Sequence, residues 1–397
     1  MIKNNKTYFA VCAQGIEPLL SDELKSLGAT FTEETKGGVH FDCTLKTLYR
    51  VNYETRLASR ILSPLRSFSA LHSKMIYDQA YRIHWEEFFT HPNATFKIDT
   101  TVQKDRFYSE YLSRDFPGKI KTPLFGAQKI KDALVDRLRE KTGSRPNVDK
   151  DNPSILIRAH FSYENGAKCS LFLDASGASL HQRGYRTHTP EAPLKETLAC
   201  AIIKLSEWDE SSPLYDPMCG SGTIPIEAAL IGLKIPPRIG RKQYGFMNWN
   251  DFDQSLWKSV LDESHSKILR GKKLPLYGSD VSTKAIQCAS FHADRAGVSN
   301  TITWKKSPFQ NTDLLVEKGT LLLNPPYGER LESGEDDKLK ILYKHIGDTF
   351  KNKYKGNNAY LFTGNLEVAK WVGLRTSKRI ALFNGPIECR LLKYQLY

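Results

Sequence analysis

A chain of 397 residues is too long for one ordinary domain, and two or three are expected. Its 40% hydrophobic and 25% charged residues are those of a globular protein that builds its cores without staples. Lys and Arg number 57 against 44 Asp and Glu, a formal charge of +13 that favours an acidic partner, nucleic acid first.

Seven cysteines (Cys12, Cys43, Cys169, Cys200, Cys219, Cys288 and Cys389) lie far apart, with no Cys-x-x-Cys and no Cys/His cluster at zinc spacing. Reduced thiols, no metal and a cytoplasmic location are the expectation. The start carries no apolar run of signal-peptide length, and no stretch reaches membrane-spanning length, so no membrane partner is expected.

The first element, TYFAVCAQGIEPLLSDELKSLGA, gives a strand, a turn and an amphipathic helix with Leu19, Leu20, Leu24 and Leu27 at helical spacing. Gly28 ends that helix. GGVHFDC follows as a second strand and TLKTLYRVNYETRLASRIL as a helix, a ferredoxin-like unit expected over residues 1–66. A second α+β set occupies residues 67–165, with helical SKMIYDQAYRIHWEEFF and TPLFGAQKIKDALVDRLREKTG and strands TFKIDTTVQ and SILIRAHFSY.

Within that set, QKDRFYSEYLSRDFPGKIK interleaves cations with aromatics, and the next helix carries Lys129, Lys131, Arg137, Arg139 and Lys141. Such a mix can hold phosphates and stack bases. Asp132, Asp136 and Glu140 on the same helix fit a solvated face equally well.

Residues 166–397 alternate strands and helices, with strands SPLYDP, PLYGSD, TITWKK, TLLLNPP, NAYLFTG, RIALFNG and RLLKYQLY. This pattern predicts an α/β, Rossmann-like, doubly wound sheet of seven strands whose last two form an antiparallel hairpin at the edge through Asn384, Gly385 and Pro386.

In YDPMCGSGTIPIEAAL, an apolar run ends at Asp216, a glycine turn follows, and a helix starts near Pro225. Gly220 and Gly222 admit a ligand close to the backbone. No Gly-Lys-Ser/Thr follows, and Pro225 takes the third glycine's place, so neither a phosphate loop nor a dinucleotide fingerprint is present. An acid before the turn suits a ligand with a cationic or amine group, and S-adenosylmethionine fits. YGSDVSTKAIQCA places Asp280 at a neighbouring strand end, where a carboxylate takes two ribose hydroxyls or caps the helix. Between them, PPRIGRKQYGFMNWNDFDQSLWKS is an insertion that either faces substrate or packs.

LLLNPPYGER ends a buried strand in Asn324, Pro325, Pro326 and Tyr327, on the sheet edge where open α/β sheets bind ligands. Prolines fix the backbone and cannot donate, so their carbonyls become aimed acceptors. An exocyclic amine has two N–H donors; the Asn324 amide oxygen and the Pro325 carbonyl take one each, and Tyr327 offers a face for the base. Holding both hydrogens turns the nitrogen lone pair toward an activated methyl.

DPMCGSGT together with NPPYGER resembles class I S-adenosylmethionine-dependent methyltransferases acting on exocyclic amines. The whole chain resembles the THUMP-domain RNA methyltransferases, specifically the bacterial 23S rRNA guanine-N2 branch, through LHQRGYR, APLKETLA, YGFMNW, NPPYGERL and NGPIECRLLKYQL. The resemblance implies a ferredoxin-like segment, a THUMP RNA-binding domain and a methyltransferase domain.

It further implies that Asp216, Pro217, Cys219, Gly220, Ser221, Gly222 and Thr223 surround the cofactor's methionine part. Asp280 then holds the ribose, Val281 beside it also touches the cofactor, and residues 324–327 orient the target amine. The family's acidic residue near the adenine is replaced here in WKKSPFQ, so adenine contact falls to Ser307 or the backbone near Pro308 and Phe309. Some relatives fuse a further methyltransferase domain; one methylation activity is expected here, on 23S rRNA or an assembling large subunit. The alternatives are exocyclic-amine methylation of another base, including N6-adenine in RNA or DNA, protein glutamine methylation, and a non-catalytic RNA-binding or assembly factor. His181, Arg183 and Arg186 of LHQRGYR either contact RNA or bridge domains.

Overall fold

The computed structural model describes residues 5–91, 93–103, 106–120, 122–164, 166–186, 194–311, 318–327 and 336–397. Of the motifs above, residues 104, 105, 121, 192, 193 and 328–331 lie outside the described residues. The chain opens with β1 (Lys6–Val11), α1 (Glu17–Ser26), β2 (Phe31–Thr35), β3 (Gly38–Cys43), α2 (Leu45–Glu54) and β4 (Arg60–Ser69). Next come α3 (Ser73–Tyr81), β5 (Thr95–Val102), α4 (Arg106–Ser113), α5 (Pro123–Thr142), β6 (Asn147–Val148), β7 (Ile155–Ser162) and β8 (Lys168–Asp174).

These strands make one eight-stranded sheet in the order β2-β3-β1-β4-β8-β7-β5-β6. The two expected units therefore share a sheet, joined along the long β4, which pairs with β1 at one end and with β8 along its length. A register shift between Pro64 and Arg66 absorbs the proline, which cannot donate to the ladder.

Sequence and structure differ here in three places. The helix expected to run through Ile61 and Leu62 stops at Glu54. Buried Glu23 draws the chain away there: its carboxylate accepts from the Thr55 hydroxyl at 2.6 Å and from the amides of Arg56 and Leu57 at 3.1 Å. β2 has no apolar alternation and lies as an exposed edge strand hairpinned to β3. β8 pairs with β4 and β7, so by strand pairing it belongs with the first sheet, beyond the boundary expected at residue 165. We accordingly propose that the methyltransferase unit begins after Asp174.

The second half contains α6 (Glu196–Leu205), β9 (Leu214–Asp216), α7 (Thr223–Gly232), α8 (Gln254–Ser266), β10 (Leu276–Asp280), α9 (Thr283–Arg295) and β11 (Ile302–Lys306). It closes with β12 (Thr320–Leu323), α10 (Asp336–Lys353), β13 (Asn358–Thr363), α11 (Leu366–Ala369), β14 (Lys378–Asn384) and β15 (Ile387–Gln395). Its sheet has seven strands in the order β11-β10-β9-β12-β13-β15-β14. The first five are parallel, while β15 pairs antiparallel to both β13 and β14, as a doubly wound sheet with a hairpin edge requires. One hydrophobic core runs from the face of this sheet carrying α6 and α7 into α1 and α2 of the first unit; a separate core on the opposite face packs α10.

The insertion after α7 is packed. Arg238 is fully buried and donates to the carbonyls of Asn52 (2.7 Å), Leu180 (3.0 Å) and Thr55. Tyr244, Phe246 and Trp257 cluster on Tyr49 of α2, and Tyr53 bonds His265 of α8 at 2.7 Å. Asn248 reaches the Ser154 carbonyl at 2.9 Å, so the insertion touches both halves of the first sheet. Substrate facing is not what these side chains do.

Candidate active site

Three neighbouring strands end their apolar runs on one edge. β9 pairs in parallel with β10 on one side, Asp216 opposite Gly278, and with β12 on the other, Tyr215 opposite Leu321. Asp280 and Asn324 therefore extend past the level of Asp216 and flank it, which is where the register of parallel strands opens a crevice.

The glycine turn after β9 is held to β10 by two hydrogen bonds from its backbone amides. The Cys219 amide donates to the Ser279 carbonyl at 2.9 Å and the Gly220 amide to Asp280 Oδ2 at 3.0 Å. Gly220 and Gly222 have φ of 51° and 81°, the left-handed region that glycine occupies without strain. A Cβ on Gly222 would stand 2.8 Å from Trp304 and 2.9 Å from Ala289, whereas one on Gly220 would meet nothing within 4 Å among the described residues. Gly222 is thus glycine for packing, and Gly220 leaves an approach to the turn free.

Asp216 is 2% exposed, and its Oδ1 accepts from the Met218 amide at 3.2 Å. Burial, with the nearby Asp280 carboxylate adding to it, pushes its pKa up to about 8. A buried acid this easily protonated is stabilised as an anion by a cationic ligand. Asp280 already accepts from two backbone amides, Gly220 at Oδ2 and Ser282 at Oδ1 (2.8 Å); each oxygen has a further lone pair for a hydroxyl.

The remaining sequence-derived residues divide. Pro217 and Ser221 stay at the turn, their carbonyls accepting from Ser279 Oγ (3.4 Å) and His292 Nδ1 (3.1 Å). Cys219 is buried, and desolvation keeps its thiol protonated, an uncharged lining group. Val281 is 68% exposed just beyond Asp280. The Ser307 amide bonds the Asp280 carbonyl at 3.0 Å, which seats Ser307 and Pro308 beside the Asp280 side of the crevice. Phe309 spends its ring in the core, stacked on Tyr354 at 5.5 Å, so only its backbone remains for a ligand. The Thr223 hydroxyl is taken by Arg186, which reaches it from beneath α7.

Arg183 of the LHQRGYR stretch is buried and Arg186 half-buried. Arg183 donates to the carbonyls of Leu180 and Arg56, each at 2.7 Å, and pairs with buried Glu227 at 3.6 Å. Tyr185 donates to the same carboxylate at 3.0 Å, and Arg186 pairs with Glu196 at 3.6 Å. These cations bridge units and brace α7. On α5, Arg137 is likewise paired, donating to both oxygens of Glu86 at 2.9 and 2.6 Å, while Lys129 and Lys131 flank Asp132 and Lys141 pairs with Glu140.

At the proline corner, Asn324 Oδ1 is a buried acceptor with no hydrogen-bond partner among the described residues. An orphaned acceptor costs about 1–3 kcal/mol until something donates to it. The corner is braced from behind: the Tyr343 hydroxyl reaches the Pro326 carbonyl at 3.3 Å and Thr363 at 3.0 Å. Asn384 donates to the Tyr327 hydroxyl at 3.0 Å, and the Tyr327 ring lies against Gly364. Sequence reading missed Tyr343 and Asn384, because nothing local to either residue marks it as a support for a loop elsewhere in the chain.

The family model for the RMKL-like methyltransferase domain matches residues 183–393, more than half of the chain. The chain belongs to that family. Two further models match in front of it, the RlmL ferredoxin-like domain over residues 7–62 and the THUMP domain over residues 73–174. The "Putative RNA methyltransferase slr0064" of Synechocystis sp. is 37% identical, covering 99% of this chain and 97% of its own. The "Ribosomal RNA large subunit methyltransferase K/L" of Syntrophotalea carbinolica is 38% identical over 98% of this chain, which spans only 53% of that relative. Among solved structures, SMU.472, described as "a putative methyltransferase complexed with SAH", superposes with a TM-score of 0.84 at 27% identity, covering 100% of this chain and 99% of that one. The family's methyltransferase fold and the three-part organisation match the reading of the sequence. No helix among the described residues is long and apolar enough to cross a membrane.

Proposed function

We propose that this methyltransferase moves a methyl group from S-adenosylmethionine to the exocyclic N2 amine of a guanosine in 23S rRNA, in the cytoplasm, on naked RNA or an assembling large subunit. The observation that carries the reading is the buried Asn324 Oδ1, which has no partner among the described residues, on a braced proline corner beside the buried Asp216 and the glycine turn. The K/L relatives are named for ribosomal RNA, and this chain spans about half of their length.

The residues fit the cofactor. Asp216 supplies a buried carboxylate for a cationic amino-acid moiety, Gly220 an open approach, and Asp280 free lone pairs for ribose hydroxyls. When bound, the cofactor supplies a methyl already activated by a positive sulfur. Asn324 Oδ1 and the Pro325 carbonyl accept the two amine hydrogens, fixing the nitrogen lone pair in one direction. Tyr343 and the rigid prolines keep those acceptors still, which is the positioning that speeds such a transfer. Tyr327 stacks the unpaired base. Neither acceptor takes up a proton; it leaves to solvent after transfer. RNA contact is assigned to the THUMP unit and its α4 region rather than to the paired cations of α5.

Incubating the protein with labelled S-adenosylmethionine and unmodified 23S rRNA, then digesting to nucleosides, tests this. Label in N2-methylguanosine is expected. Label in N6-methyladenosine moves the assignment to adenine, and RNA binding without label leaves a non-catalytic factor.

A further inference from the structure

A cavity of ≈ 390 Å³ opens at Tyr327 of the proline corner, lined also by Gly364, Glu388 and Arg390 among others. Glu388 and Arg390 belong to the NGPIECRLLKYQL stretch, which the methyl-transfer geometry above does not use. They stand two apart on β15 and so face the same side of the sheet.

Two tethers bring them to the corner. Asn384, at the end of β14, holds the Tyr327 hydroxyl, and the hairpin turn after it leads directly into Glu388. Arg390 is registered opposite Thr363, whose hydroxyl bonds the same Tyr343 that braces Pro326. The pair is itself ordered: Arg390 Nη2 donates to Glu388 Oε1 at 2.7 Å, and Arg390 Nη1 to the Cys389 carbonyl at 3.0 Å.

We infer that Glu388 and Arg390 read the Watson–Crick edge of the target base and select guanine, an inference that rests on the proposed N2 transfer. Along that edge guanine presents the N2 amine, then the N1–H donor, then the O6 acceptor. With the N2 hydrogens on Asn324 and Pro325, N1–H requires an acceptor and O6 a donor. A carboxylate beside a guanidinium supplies them in that order.

Adenine and cytosine also carry an exocyclic amine, but the ring nitrogen next to it is an unprotonated acceptor. Set against a carboxylate, that lone pair is repelled, so the same group that holds guanine rejects the other two. Positioning the amine alone does not distinguish the three bases; the neighbouring ring nitrogen does. Glu388 is 59% exposed along its side chain, so it can be replaced without disturbing a core.

The test measures kcat and KM on unmodified 23S rRNA, the labelled nucleosides, and S-adenosylmethionine affinity by calorimetry, for the wild-type chain, Glu388→Ala and Glu388→Gln. Removing the acceptor leaves N1–H unpaired, and a fall of roughly 100-fold in transfer to guanosine is expected for Glu388→Ala. Glu388→Gln, whose amide oxygen still accepts, falls less. Both bind the cofactor within about twofold of wild type, and the ratio of methyladenosine to methylguanosine rises in Glu388→Ala, which a merely structural defect does not produce. Transfer within about threefold of wild type in Glu388→Ala, or a parallel loss of cofactor affinity in both variants, overturns the inference. Wild-type label in adenosine instead overturns the N2 reading itself.

Discussion

Replacing Asp216 by asparagine separates what the buried carboxylate costs from what it does. Its pKa rises from the ordinary 3.8 to about 8, with burial the main cause. At about 1.4 kcal/mol per pH unit, ionising it in the folded, ligand-free protein costs on the order of 5 kcal/mol. Because the folded value lies above the unfolded one, its contribution to stability is fully present below about pH 4. That contribution is lost progressively as pH rises to about 8. Asparagine does not titrate and keeps an oxygen for the Met218 amide.

Thermal unfolding from pH 5 to 9 therefore shows the wild-type midpoint falling relative to Asp216→Asn. At pH 9 the variant is ahead by on the order of 10 °C. Cofactor affinity runs the other way. A cationic ligand prefers ionised Asp216, so wild-type affinity rises with pH up to about 8 and binding releases a proton, detectable by calorimetry in buffers of different ionisation enthalpy. The variant binds more weakly at pH 8, with no such slope. Parallel stability curves for the two proteins, or wild-type affinity that is flat with pH, refute this account of Asp216.

Asn324→Ala keeps cofactor and RNA binding while methyl transfer falls by about 100-fold or more, because only the amine's orientation is lost; stopped assays with saturating cofactor check it. Gly364→Ala puts a Cβ 3.0 Å from both the Tyr327 ring and Ile387 Cγ2, and the displaced ring lowers kcat roughly tenfold with cofactor affinity unchanged. Arg238→Met strips the carbonyls of Asn52, Leu180 and Thr55 of their buried donor. It destabilises by on the order of 3 kcal/mol, read as a lower unfolding midpoint and faster proteolysis of the insertion.

Asp216, Asp280 and Asn324 were legible in the sequence for one reason: each is a polar residue that ends an apolar run, and parallel strands stack such ends on one edge. The hairpin at the sheet edge was equally local, set by Gly385 and Pro386 between two apolar strands. What was not legible depends on partners distant in sequence. Glu23 ends α2 from 33 and 34 residues away by taking the Arg56 and Leu57 amides that a longer helix needs. Arg183, Arg186 and Arg238 look like surface cations by composition, and only the carbonyls and carboxylates folded around them draw Arg183 and Arg238 into the core and leave Arg186 half-buried. The shared sheet escaped notice because β4 hides a proline inside a bulge, and β2 because an edge strand facing water needs no apolar alternation.

The mechanism depends on one placement: cofactor along the glycine turn, target amine on the proline corner. A crystal structure of the full chain with SAH and a guanosine-containing oligonucleotide measures it directly. The amino-acid end of SAH is expected against Asp216 and Gly220, its ribose on Asp280, and Asn324 Oδ1 within hydrogen-bond distance of a guanine N2. SAH bound away from that turn, or an Asn324 amide turned from the base, contradicts it.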